Sequence, residues 1–147
     1  GTAVEQERIY NLYLKHLRHI NNWDLVDSSA PQIIGAFLER RDRSILYKLS
    51  GSGSLWGRRI AIIATFYFIK QNDFNDALLI SEQLLNDQED LIHKAVGWML
   101  REIGKRDMKI EKTFLKIHYQ QMPRTMLRYA IEKFSPEERR QYLQGEI

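Results

Sequence analysis

Apolar residues recur at three- and four-residue intervals along almost the whole chain, and no stretch alternates apolar with polar residues for long enough to argue a strand. That periodicity restricts the fold to packed amphipathic helices. The spacing predicts helices at roughly 4–20, 29–39, 41–50, 56–70, 74–86, 89–104, 108–120, 123–134 and 136–143. Ser29 with Pro31 reads as an N-cap followed by a first-turn proline, and Ser135-Pro136-Glu137-Glu138 repeats the signature with carboxylates at the positive helix end. Gly104 after LREI reads as a helix stop, and GSGS at 51–54 as a loop.

The helices are short and their connections are shorter, so neighbours in sequence are expected to pack antiparallel. RRIAIIATFYFIK (58–70) and HKAVGWMLREIGK (93–105) share a basic start, an apolar run and a charged end at an offset of 35 residues. That offset lies in the range of helical-pair repeats, which stack into a solenoid with a concave surface. An irregular all-α bundle, which leaves no groove, fits two copies as well.

At 147 residues and 17.5 kDa the chain is expected to form one domain around a single core. The longest apolar run, IAIIATFYFI at 60–69, is about half of what a membrane span needs and reads as a buried helix. No secretory leader is visible in the chain as given, so the cytoplasm is the expected compartment. Without cysteine there is no disulfide, thiolate metal site or cysteine nucleophile. Of the four histidines only His16 and His19 have helical spacing for a metal pair, and solvated or half-buried rings are the simpler reading. Chemistry without metal or cofactor is therefore expected.

Net charge is only +3, but it is unevenly placed. From Arg101 to Arg128 there are eight basic residues against three acidic ones, a local excess of five. From Asn72 to Asp90 there are six acids and no Lys or Arg. The segregation suggests one face that attracts polyanions and one that repels them, although charge runs that merely solvate helices give the same counts.

Three motifs stand out: WDLVD at 23–27, LWGRRIAI at 55–62 and HKAVGWMLREIGKRD at 93–107. Trp23 and Asp27 are four residues apart and Trp98 and Arg101 three, so on helices each pair puts a ring and a charge on one face. Each also has a plain structural reading. Trp98 between Val96 and Leu100 fits a core position, Arg59 fits an ion pair with a glutamate, and Asp27 fits a cap for the following helix.

Taken together with RTMLRYAIEKF at 124–134, and in that order, these motifs resemble the DNA alkylation repair glycosylase family built from HEAT-like helical repeats, the AlkD-like enzymes. The resemblance runs from about Trp23 to the C-terminus. It implies an all-α HEAT-like superhelix whose concave face binds double-stranded DNA carrying alkylated bases. It implies that Trp23 and Trp98 match the two tryptophans held against the lesion nucleotide, and that Asp27 matches the catalytic carboxylate. Arg59 and Arg101 match the arginines that hold the strand. Arg58 is adjacent to Arg59, although the register to Trp98 favours Arg59. Lys105 and Arg106 belong to the basic surplus expected to bind phosphates. Members of the family carry further helices before WDLVD, so the chain is expected to be the C-terminal portion of a longer domain.

The chemistry needs few groups. A purine alkylated at N3 or N7 carries a positive charge and leaves without protonation, and the transition state is oxocarbenium-like at the sugar. Indole faces favour a nearby cation. A carboxylate stabilises the sugar cation and takes a proton from the attacking water, as in glycoside hydrolysis. The expected activity is hydrolysis of the N-glycosidic bond of 3-methyladenine- and 7-methylguanine-type lesions, leaving an abasic site. The competing reading is a non-catalytic HEAT-like module that binds DNA or protein.

Overall fold

The structure, a computed structural model, describes residues 3–15, 29–39 and 41–147. Every regular element in them is helical. Helix α1 spans Ala3–Lys15. A π-helical turn at Pro31–Gly35 runs directly into α2 (Ala36–Leu38). Then come α3 (Ser44–Ser50), α4 (Leu55–Ala64), α5 (Phe66–Ile69), α6 (Asn75–Gln83), α7 (Asp90–Arg106), α8 (Met108–His118), α9 (Arg124–Ala130) and α10 (Pro136–Leu143).

Local chemistry accounts for the boundaries that differ from the periodicity. Ser29 and Ala30 are already helical, and the Ser29 hydroxyl lies 2.9 Å from that of Tyr13, tying this segment to α1. Helix α3 starts at Ser44 rather than 41 because the Asp42 carboxylate accepts a hydrogen bond from the Ser44 amide at 2.9 Å, an Asx turn that ends extended backbone. The expected helix 56–70 is interrupted at Thr65, whose hydroxyl donates back to the Ile62 carbonyl. Gly104 does not stop α7, which runs on to Arg106. The break falls instead at Asp107, whose extended backbone and side chain cap α8 by accepting from the amides of Lys109 and Ile110. Ser135 caps α10 as the sequence indicates, accepting from the Glu138 amide at 3.2 Å.

Helices α4, α7 and α9 pack side by side in one row, while α3 and α6 pack against α4, α6 also against α7, and α8 against α7. Ile60 to Ala64 of α4 are fully buried, as are Ile92, Ala95, Val96, Met99, Leu100 and Ile103 of α7, so the middle of the row is the core. Burying side chains of this size stabilises by about 1.5–3 kcal/mol each. No helix among the described residues is long and apolar enough to cross a membrane.

The acidic stretch is not a bare repelling face. Arg43, seated over the Phe68 ring, pairs with Asp73 and Asp76, and the Tyr47 hydroxyl donates to Asp76 at 2.6 Å. Asp87 pairs with Arg58, and Asp90 with Lys94. Three of the six acids expected to repel polyanions, Asp73, Asp76 and Asp87, are paired with arginines of other elements.

Candidate nucleic-acid interface

Trp23 and Asp27 lie outside the described residues; the other sequence-predicted site residues sit on α4 and α7. Lys94, Trp98, Arg101 and Lys105 recur every three or four residues along α7 and therefore form one stripe. Trp98 is half-buried. Its indole meets the Phe66 ring edge-on, with centroids 5.7 Å apart and planes at 62°, a favoured aromatic arrangement. Phe66 also carries the Lys70 ammonium, 4.7 Å from the ring centroid. An open cleft continues past this ring, lined by Lys70, Asn72, Glu102, Lys105 and Arg106.

The two arginines of the WGRR motif do different things. Arg58 grips Asp87 through Nε and Nη2 at 2.7 and 3.4 Å and also donates to the Ser52 carbonyl, fastening α4 to the loop before α7. Arg59 is 3% exposed and donates to the Leu91 carbonyl in the first turn of α7. It lies close enough to Lys94 for their like charges to interact.

Arg101 is ion-paired to Glu132, just beyond α9, and its Nε is buried with no partner among the described residues. Lys105 pairs with Glu102 at 3.1 Å, and the Arg106 guanidinium reaches the Asn72 side chain. Lys109, Lys116 and Arg128 are exposed and make no ion pair among the described residues. The α7 stripe thus sets an indole between cations that are each paired with a carboxylate, an arrangement suited to a phosphate backbone and a base or sugar once the carboxylates are displaced.

Three residues that motif reading alone does not single out complete this surface: Phe66, Tyr129 and Glu132. Phe66 is hidden in an apolar run, while Tyr129 and Glu132 fall within RTMLRYAIEKF but give no signal of whom they face. Glu111 of α8 is a further surprise. It is 1% exposed, its Oε2 has no partner among the described residues, and its carboxyl fills the space a Cβ at Gly104 would need. Burial pushes this carboxyl up to about 8, opposed by the charges of Arg101 and Lys112. Among the described residues no three His, Asp or Glu side chains converge to hold a metal ion.

The described residues define an all-helical protein with a ring-and-arginine stripe along one face of α7. The family profile described as DNA alkylation repair enzyme matches residues 2–134, and the chain belongs to that family. No curated protein sequence matches closely enough to serve as a relative. The role that membership assigns is DNA alkylation repair, with DNA as the partner.

Proposed function

We propose that this protein is a monofunctional DNA glycosylase of the AlkD-like kind, which hydrolyses the N-glycosidic bond of cationic alkylpurines and leaves an abasic site. The observation that carries the reading is the α7 stripe, where a half-buried Trp98 stands between Lys94 and Arg101 with Arg59 anchored behind its first turn. DNA lies along the row of α4, α7 and α9 as on the concave face of a HEAT-like solenoid. Arg101 and the cations at Lys105 and Arg106 hold its phosphates, while Arg59, expected from the resemblance to hold the strand, is buried on the Leu91 carbonyl and instead holds α4 against the first turn of α7. Arg58 braces this surface by keeping α4 on the Asp87 loop.

In the reaction, the C1′–N bond breaks and its electron pair leaves with the base, neutralising the purine's charge. The indoles of Trp98 and Trp23 flank the sugar while it carries positive charge. Asp27 stabilises the oxocarbenium character at C1′ and takes the proton of the water that adds there. No acid is needed for the leaving group, because the base is already cationic in the substrate and departs neutral.

The test is release of free 7-methylguanine from a duplex holding one such lesion, by the chain and by Asp27→Asn. Release that disappears in Asp27→Asn while duplex affinity persists supports the reading. Binding without release by the parent chain moves the protein to a non-catalytic DNA-binding module.

A further inference from the structure

Tyr129 presents a large ring on α9 that is 37% exposed. Its place relative to α7 is fixed by Gly97, where an added Cβ would lie 2.5 Å from both the Tyr129 Cβ and the Met126 carbonyl oxygen. Only a residue without a side chain lets the two helices approach this closely, and the approach sets Tyr129 beside the neighbour of Gly97 in sequence, Trp98. On one side of Trp98, the Tyr129 hydroxyl lies within electrostatic range of the Lys94 ammonium. On the other side, one turn on from Tyr129, Glu132 pairs with Arg101. Tyr129 and Glu132 therefore run parallel to Lys94, Trp98 and Arg101. The Tyr129 hydroxyl has no hydrogen-bond partner among the described residues, so packing alone gives no reason for an oxygen at this position.

We propose that Tyr129 is a further DNA-contact residue, whose hydroxyl donates a hydrogen bond to a phosphodiester oxygen of the strand lying along Lys94, Trp98 and Arg101. The inference rests on the DNA interface proposed above and extends it from α7 onto α9. The phenol supplies a neutral donor between two cations, which positions a phosphate without adding to the counterion-release term.

The test measures affinity for an undamaged duplex across a salt series, melting temperature, and single-turnover excision of 7-methylguanine, for the parent, Tyr129→Phe, Tyr129→Ala and Lys94→Ala. Tyr129→Phe is expected to bind roughly tenfold more weakly, as loss of a hydrogen bond to a charged group does, with an unchanged melting temperature and salt slope. Lys94→Ala is expected to lower the magnitude of the salt slope by about 0.9. Equal affinity in parent, Tyr129→Phe and Tyr129→Ala overturns the proposal, and so does a Tyr129→Phe loss matched by lower thermal stability. Excision with Tyr129-independent binding leaves the glycosylase standing without this contact. Tyr129-dependent binding without excision does the reverse, and a parent chain that does not bind duplex overturns both.

Discussion

Arg101 and Glu132 reach across from α7 and the end of α9 to form an ion pair on the surface where DNA is proposed to lie. Glu132 is the more exposed partner, at 55% of its side chain against 18% for Arg101, so a phosphate approaching Arg101 meets a carboxylate already in place. Glu132→Gln removes both the competitor and its repulsion of the backbone. It is expected to tighten duplex binding about three- to tenfold at low salt and to steepen the salt dependence. Stability should change by less than about 1 kcal/mol, since exposed pairs contribute little. Fluorescence anisotropy titrations at two salt concentrations check this, and unchanged affinity would place Arg101 away from the phosphates.

Gly97→Ala tests the α7–α9 contact directly. In an open helix this exchange gains about 1 kcal/mol. Here the new Cβ meets backbone at the Met126 carbonyl and the Ala130 amide, 2.5 and 3.2 Å away, and backbone gives way only if a helix shifts. A net loss of about 1–3 kcal/mol is expected, read from the urea midpoint, together with weaker duplex binding as Tyr129 and Glu132 move off the stripe. A neutral or stabilised variant would mean that the helices are not seated on one another at this glycine.

What the sequence makes legible here is local. Ser135-Pro136 announces α10 because capping and a first-turn proline are properties of neighbouring residues. The spacing of Trp98 and Arg101 puts them on one face for the same reason. Gly104 misleads as a stop because its smallness serves the Glu111 carboxyl from another helix, and Thr65 breaks a helix through a hydroxyl that propensity treats as mildly unfavourable. The acidic run at 72–90 looks like a repelling face because its partners, Arg43 and Arg58, are 29 to 33 residues away in the chain. Glu132 as the partner of Arg101 is likewise invisible to spacing, at a separation of 31 residues. Trp23 and Asp27, which the family resemblance ranks first, rest on that resemblance and on the assay of base release.

Trp98→Ala separates the two readings of this tryptophan. A fully enclosed core tryptophan would cost about 3–5 kcal/mol on truncation. Half-buried and resting on Phe66 by one edge, Trp98 is expected to cost about half that, while excision falls by at least tenfold. Trp98→Phe, which keeps the apolar contact, should recover most of the stability and little of the rate. Recovery of both would make Trp98 a packing residue.

Glu111 makes stability depend on pH in an unusual direction. Its carboxyl titrates near 4.5 when free and at about 8 in the folded protein, because burial at Gly104 disfavours the charge more than Arg101 and Lys112 favour it. Between those values the folded state holds a proton that the unfolded state releases, so this group's contribution falls as pH rises and levels off above about 8. The loss across the window is on the order of 3–5 kcal/mol. Glu111→Gln keeps the shape and removes the titration. Between pH 5 and 8 the parent is expected to lose on the order of 10 °C in melting temperature relative to Glu111→Gln. The two proteins should converge only as pH falls below about 4.5, where the parent carboxyl is neutral in the fold and in the unfolded chain alike. Parallel melting curves across this interval would show that Glu111 is ionised in the fold, with Arg101 as its counter-charge.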